Sequence, residues 1–264
     1  MKDLMGKHAV VTGAGSGLGR AIACGLAASG ARLTLLDLDA DGLAGTARLA
    51  DQAAAAIQAS VDVTDAAAIG QALIRATEIH GPIGVVINCA GIIVRQGFVE
   101  SDAAVWRKVF DVNVIGYVNV LQGALPFMEE GASVVQVASS SGHRGGHGYA
   151  SYSASKGAVL ALTRHLAGEL VPRQIRVNSI SPGPAVTGLN RDVFASADAV
   201  RSISDAVPLG RIGAPEDVVG AAIFLAGPQS RYVTGIDIPV DGGLTSQIRL
   251  GTTASAYLAF RAET

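Results

Sequence analysis

The sequence predicts an α/β domain built as one doubly wound parallel sheet with helices on both faces. Three observations carry that prediction. Short, fully apolar runs alternate with longer segments of helical period along nearly the whole chain. The apolar runs do not alternate with polar residues, as they would on a half-exposed sheet, so both faces of each strand are covered. A glycine-rich turn, "TGAGSGLGR", joins the first strand to the first helix. No linker or internal repeat interrupts the pattern, so residues 1–264 read as a single domain.

The elements follow in order. "HAVVTG" reads as the first strand, "LGRAIACGLAASG" as a helix ending at Gly30, and "RLTLLDLD" as the second strand. "ASVDVTD" closes a third strand, and "DAAAIGQALIRATEIHG" is the helix after it. "IGVVINCAG" is a fourth strand, followed by one long helix from about Asp102 to Met128. "ASVVQVASSSG" is a fifth strand, leading to a helix from about Ser151 to Leu170. "IRVNSISPGP" is the sixth, and "PEDVVGAAIFLAG" with "TGIDIPVDGG" supplies a last helix and strand. Two segments break the rhythm. Residues 184–210 form a long mixed stretch beyond strand six, of the kind that usually serves as a lid or binding loop. The tail over 244–264 carries Ile248, Leu250, Tyr257, Leu258 and Phe260 and is expected to pack on another surface.

Composition excludes several classes. With 49% hydrophobic residues the chain can bury a substantial core. No apolar run approaches the ~18 residues of a membrane span, and the start, "MKDLMGKHAVVTGAG", has no signal-peptide character. A net charge of −2 argues against a nucleic-acid binder. Cys24 and Cys89 sit in no metal-ligand spacing and read as small core residues in a reducing compartment, so neither a metal site nor a disulfide is expected. The expectation is a cytoplasmic globular protein.

The glycine turn lies where a dinucleotide pyrophosphate meets backbone N–H groups and a helix dipole. The literal G-x-G-x-x-G pattern fails; the residues instead satisfy T-G-x-x-x-G-x-G with Thr12, Gly13, Gly17 and Gly19. Asp37 ends strand two near the spacing of about 20 residues at which a carboxylate accepts from the adenosine ribose hydroxyls. Such a carboxylate repels the extra phosphate of NADP, so the cofactor expected is NAD.

"HGYASYSASKG" places Tyr152 and Lys156 four residues apart, on one helix face. Either this is an ordinary solvated helix or a phenol is held beside an ammonium to move protons. A free phenol near pKa ~10 is a poor base at neutral pH, and bringing it to 7 takes roughly 4 kcal/mol of preference for phenolate.

These motifs, in order and in register with the strands, resemble the short-chain dehydrogenase/reductase family, from about Lys7 to Gly243. "TGAGSGLG" resembles its cofactor turn, and "NCAG" its N-x-A-G motif after strand four, with Cys89 where a second Asn is usual. Asn113 in "DVNVIG" falls at the family's helical catalytic Asn, Ser139 precedes Tyr152 by thirteen residues, and "YSASK" fits Y-x-x-x-K. "SPGP" followed by Thr187 resembles the segment that holds the nicotinamide.

The resemblance implies a Rossmann-like NAD-dependent oxidoreductase whose catalytic set is Asn113, Ser139, Tyr152 and Lys156. Tyr152 is then the general acid/base, Ser139 the partner of the reacting oxygen, Lys156 the cation beside the phenol, and Asn113 the holder of a water in a proton path. Ser140 and Ser141 compete with Ser139. The implied cofactor wall has Gly13, Ser16, Gly17, Leu18 and Gly19 at the pyrophosphate. Asp37, Asp62 and Val63 fall at the adenosine, Asn88, Ala90 and Gly91 along strand four, and Pro182, Gly183 and Thr187 at the nicotinamide. Ser16 and Leu38, where NADP users carry a base, are neutral here.

The substrate site is expected to involve Arg95, Ser141, His147, Tyr149 and Pro184, with His143 and Arg144 on bordering loops. That polar group leans toward a polyol or sugar-like alcohol, whereas Val193, Phe194 and the apolar tail suit an aryl or steroid alcohol. A 3-oxoacyl-thioester reductase is a neighbouring alternative, and an idle NAD-binding regulator is an alternative of another class. The apolar helix "VWRKVFDVNVIGYVNVLQGAL" further suggests a homo-oligomer, in this family most often a tetramer.

Overall fold

The computed structural model describes residues 3–51, 55–188, 194 and 196–246. Among these, seven parallel strands form one sheet in the order β3-β2-β1-β4-β5-β6-β7. The strands are β1 (His8–Thr12), β2 (Arg32–Asp37), β3 (Ile57–Ser60), β4 (Ile83–Asn88), β5 (Met128–Val137), β6 (Arg176–Pro182) and β7 (Asp237–Val240). The helices are α1 (Gly17–Ala28), α2 (Ala40–Leu49), α3 (Ala66–His80), α4 (Ala103–Phe110), α5 (Gly116–Ala124), α6 (Ala150–Glu169), α7 (Ala197–Ala206) and α8 (Val219–Ala226).

The apolar strands do what their pattern predicts: β1 and β4 are buried at every residue. Each sheet face has its own core. Val11, Leu33, Leu35, Val85 and Ile87 face α1 and α8, while Val10, Leu36, Val86 and Val134 face α3 and α5. Burying each such side chain contributes about 1.5–3 kcal/mol.

Four differences from the sequence expectation have physical causes. The segment after strand two, where no element is expected, holds α2, started by the Asp39 side chain accepting from Gly42 N at 2.9 Å. The long helix expected over 102–128 is two helices, α4 and α5, separated by a π-helical turn over Asp111–Ile115. It ends at Ala124, followed by a 3₁₀ turn over Leu125–Phe127 that contains Pro126; β5 then begins at Met128, four residues earlier than the apolar run suggested. The 184–210 stretch contains α7, capped by Ser196. Within that stretch 189–193 and 195 lie outside the described residues, as does the tail from 247 onward, including the five apolar residues expected to pack.

Strand order reverses between β1, which continues outward to β2 and β3, and β4, which continues to β5, β6 and β7. A crevice opens at the carboxyl ends of the strands at such a point.

Candidate active site

The crevice is floored by the turn after β1. Gly13 has φ +65°, and a Cβ there would lie 2.9 Å from the Ala90 backbone; a Cβ on Gly19 would lie 2.1 Å from Gly13 O. Both positions therefore require glycine. The turn is braced from below: the Thr46 hydroxyl donates to Ala14 O at 2.7 Å, and the Arg20 guanidinium bonds Thr46 Oγ1 and the Gly15 and Gly42 carbonyls. Thr12 Oγ1 accepts from Cys89 N and Ala90 N, both at 3.0 Å, and joins this turn to the end of β4.

Helices α2, α3, α4 and α7 each start with a side chain accepting from a first-turn N–H. Helix α1 does not: Ser16 occupies its N-cap without a side-chain cap bond. That helix end, with its partial positive charge, faces the crevice.

A cleft of about 530 Å³ runs from this helix end to β2. Its walls include Gly13, Ser16, Gly17, Leu18 and Gly19 at one end and Asp37, Leu38, Asp62 and Val63 at the other. Asp37 accepts from Gly15 N at 2.8 Å through Oδ2 and from Asp39 N at 3.0 Å through Oδ1, which aims the carboxylate across the cleft end. Ala90, Gly91 and Thr187 also line it. Asn88 does not reach it. Its amide is fully buried and donates to Tyr117 O at 3.2 Å and Gln136 Oε1 at 3.0 Å. Cys89, read from sequence as a core residue, packs against the core and also forms part of the wall, and burial pushes its thiol up to about 12.

The cleft narrows into a space of about 80 Å³ bounded by Leu18, Cys89, Ser139, Tyr152, Lys156, Pro182, Gly183 and Thr187. Ser139 and Tyr152 also border an outer cleft of about 410 Å³, so they stand at the junction.

At that junction Lys156 is 3% exposed. Its ammonium donates to Val137 O at 2.7 Å and Tyr117 Oη at 3.1 Å, and Tyr117 Oη donates to Val137 O at 3.0 Å, closing a three-membered ring. Burial lowers Lys156 to about 8, and it pushes Tyr152 up to about 12, partly offset by the hydrogen bond to Ser139. The ammonium lies 5.9 Å from the centre of the Tyr152 ring. Ser139 Oγ accepts from Ser141 N at 3.1 Å, which fixes the hydroxyl at the start of the turn after β5.

Asn113 sits in the π-helical turn and is fully buried. Its side chain accepts from Ile92 N at 2.8 Å and donates to Ile92 O and Ser155 Oγ, both at 3.0 Å. The amide thus clamps the strand-four loop to α6, and a Cβ on Gly91 would lie 3.2 Å from Asn113 Oδ1 and 3.7 Å from Lys156 Nζ.

In the outer cleft the structure brings together Arg95, Ser140, Ser141, Arg144, Tyr149 and Pro184. Tyr149 packs edge-on against Tyr152, ring centres 6.1 Å apart, as a wall rather than at the junction. Two residues expected nearby go elsewhere. His147 is exposed on its loop and lines none of these three clefts. His143 turns away to the sheet edge, where Nε2 lies 2.8 Å from Asp237 Oδ2 and 3.2 Å from Ser181 Oγ. Tyr117, overlooked in the sequence, carries a weak signal: it stands four residues after Asn113, one helical turn along.

A glycine turn, an uncapped helix end and a Ser/Tyr/Lys cluster, on a seven-stranded parallel sheet, define a doubly wound fold of the dinucleotide-binding type. The comparisons agree. The family model described as Enoyl-(Acyl carrier protein) reductase matches residues 13–245. The chain is 40% identical over 248 residues to a galactitol 2-dehydrogenase (L-tagatose-forming) from Cereibacter sphaeroides, covering 92% of this chain and 96% of that one. It is 36% identical to a 2,5-dichloro-2,5-cyclohexadiene-1,4-diol dehydrogenase from Sphingobium indicum, covering 91% and 96%. A crystal structure of a short-chain dehydrogenase/reductase (glucose/ribitol dehydrogenase) from Brucella melitensis superposes with a TM-score of 0.87 at 33% identity, covering 92% and 98%. This chain belongs to the short-chain dehydrogenase/reductase family, oxidoreductases that act on alcohol groups.

Proposed function

We propose that the protein is an NAD-preferring dehydrogenase that interconverts a secondary alcohol and its ketone, with Tyr152 as general acid and base. The observation that carries this reading is the placing of Ser139 and Tyr152 at the junction of the narrow space and the outer cleft, with Lys156 buried behind them. The glycine cradle, in which a Cβ at Gly13 or Gly19 would collide with backbone, and the open helix end above it fit a pyrophosphate. Asp37 would accept from the adenosine ribose, Asp62 and Val63 would flank the adenine, and Pro182, Gly183 and Thr187 would border the nicotinamide. A nicotinamide dinucleotide held there supplies the acceptor for the hydride leaving the alcohol carbon, or its donor in reverse.

The chain's own residues handle the proton. In oxidation the alcohol O–H proton passes to Tyr152 as the C–H bond breaks, which leaves a ketone; in reduction Tyr152 returns it. Ser139 donates to the same oxygen as charge develops. With Tyr152 near 12 in the cofactor-free protein, the resting form is the phenol, the form that protonates a carbonyl. Oxidation near pH 7 requires the phenolate to be stabilised by roughly 7 kcal/mol relative to that resting state. The Ser139 hydrogen bond is already counted in that resting value; the remainder would fall to the Lys156 ammonium, 5.9 Å from the ring centre, and the charge of oxidised nicotinamide. Oxidation therefore quickens as pH rises and reduction as pH falls. Asn113 holds the Gly91–Ile92 turn and α6 in register behind Lys156, a frame for a water-mediated proton path.

The substrate is a small alcohol in keeping with the polyol and cyclic diol named for the relatives. A cytoplasmic homotetramer is the state we favour: no described helix is long and apolar enough to cross a membrane, and Ile115 is 48% exposed on the π turn beside α5. Residues 184–210 would act as the lid over the outer cleft. A panel of alcohols and ketones assayed with NAD(H) and NADP(H) tests this function. Reduction or oxidation by NAD(H) supports it, and inertness toward every alcohol and ketone with both cofactors overturns it.

A further inference from the structure

We infer that Gly146, a residue outside the reacting centre, sets the size of alcohol the protein accepts by giving the Tyr149 ring its seat beside the outer cleft. The inference rests on the reading of that cleft as the substrate site, and it narrows the substrate to alcohols compact enough to pass the ring. Tyr149 is the residue just before α6, and it lines the cleft of about 410 Å³ that Ser139 and Tyr152 also border. A Cβ added at Gly146 would overlap the Tyr149 phenol oxygen and lie 2.5 Å from Cζ and 2.8 Å from Cε2. The phenol therefore lies against the Gly146 backbone, in space that any other residue type would fill.

The surroundings leave the ring little choice. Its backbone is held on both sides: Gln96 pairs with Tyr149 in an isolated bridge, Gln96 N donates to Gly148 O at 2.7 Å, and Tyr149 O accepts from Ser153 N at 3.1 Å. The ring meets that of Tyr152 at 75°, with centres 6.1 Å apart. Among the described residues no hydrogen bond anchors the Tyr149 hydroxyl, so packing alone places it. A methyl group at position 146 would then displace the phenol, because overpacking is relieved first by the side chain that moves most easily. With Tyr152 on one side and the 146 turn on another, the displaced ring enters the cleft, the space lined also by Ile93, Ile203 and Leu244. Gly146 does not adopt the left-handed backbone that Gly148 takes at φ +77°. Alanine there probes the seat and leaves the turn intact.

The test measures kcat/KM with NAD for butane-2,3-diol and cyclohexane-1,2-diol in the native protein, Gly146→Ala, Tyr149→Ala and the double variant. A crystal structure of Gly146→Ala is determined alongside. One methylene in a pocket already shifts discrimination about 10–200-fold. The ratio of the cyclic to the open-chain diol should therefore fall at least about tenfold in Gly146→Ala, chiefly through KM. It should rise above the native ratio in Tyr149→Ala, and adding Gly146→Ala to that variant should leave it unchanged. The structure should show the phenol moved into the cleft over an unmoved backbone. An equal loss on both diols, a phenol swung out to solvent, or an effect of Gly146→Ala that persists without the Tyr149 ring overturns the inference while the dehydrogenase reading stands. So does a native protein that leaves either diol unoxidised while oxidising other alcohols. Inertness toward every alcohol and ketone with both cofactors overturns the two together.

Discussion

The Lys156 ammonium is held 3.1 Å from Tyr117 Oη, and both groups meet on Val137 O. A buried cation held by neutral oxygens depends on them to stay charged. Removing the hydroxyl in Tyr117→Phe deletes one acceptor and disfavours the ammonium. Lys156, already lowered to about 8 by burial, should fall further, by up to about one pH unit. The alkaline limb of the kcat/KM pH profile should shift to lower pH while the melting temperature changes little. A profile that superposes on the native one shows that Tyr117 only fills space.

Asp37 makes the cofactor preference testable. Its oxygens already accept from Gly15 N and Asp39 N, which fixes the carboxylate at the end of the cleft, the place our proposal gives to the adenosine ribose. Loss of a charge-assisted hydrogen bond costs about 1.5–3 kcal/mol, and repulsion of a phosphate adds to it. NAD should therefore be preferred at least roughly a hundredfold in kcat/KM, and Asp37→Ala with Leu38→Arg should erode the preference. Equal efficiency with NAD and NADP in the native protein would contradict this role for Asp37.

The His143–Asp237 contact ties the turn that carries Ser139 and Ser141 to β7, with Ser179 and Ser181 donating to Asp237 Oδ1 at 2.6 and 2.9 Å. His143→Ala should loosen that turn, raising KM more than it lowers kcat, by about three- to tenfold. Global stability should move by less than about 1 kcal/mol because the contact is partly exposed. Unchanged KM and kcat would show that the turn is held without it.

His8 ties stability to pH. It is buried, with Nδ1 2.9 Å from Gly81 O and Nε2 2.8 Å from Thr34 Oγ1, and burial lowers it to about 4. The unfolded chain takes up this proton near 6.5, the folded chain only near 4. The stabilisation is whole above pH 6.5 and is lost as pH falls from there to about 4, at most about 3 kcal/mol. His80, also lowered by burial, acts in the same direction. Urea unfolding at pH 7.5 and pH 5 should show the loss in the native protein and a smaller one in His8→Gln. Equal losses in the two proteins would remove His8 from the account.

Local information explains what is readable in the sequence. The strands announce themselves because a strand covered on both faces is apolar throughout, and Tyr152 and Lys156 because they share one helix face. The π turn at Asn113 is not readable: a single widened turn leaves the apolar pattern of a helix intact on both sides. Tyr117 looks like a core aromatic, since its hydroxyl finds its partners on β5 and α6, far away in sequence. His143 is misplaced for a related reason, because its partner Asp237 lies 94 residues further along. Helix α2 escapes notice because its apolar positions are mostly alanine and carry little signal, and the Asp39 cap marks its start.

The central claim is that the Tyr152 hydroxyl carries the proton, and one substitution isolates it. Tyr152→Phe keeps the ring that lies against Tyr149 and removes the oxygen. Positioned acid/base groups contribute about 10²–10⁴-fold, and the phenol is not the main anchor for the dinucleotide. The decisive measurement is kcat/KM for the best alcohol found, set beside the dissociation constant for NADH, in the native protein, Tyr152→Phe and Tyr149→Phe. We expect a loss of at least about a hundredfold in kcat/KM for Tyr152→Phe, NADH affinity within about threefold of native, and a much smaller kinetic loss for Tyr149→Phe. Ordinary turnover by Tyr152→Phe, or an equal loss in both variants, would contradict it.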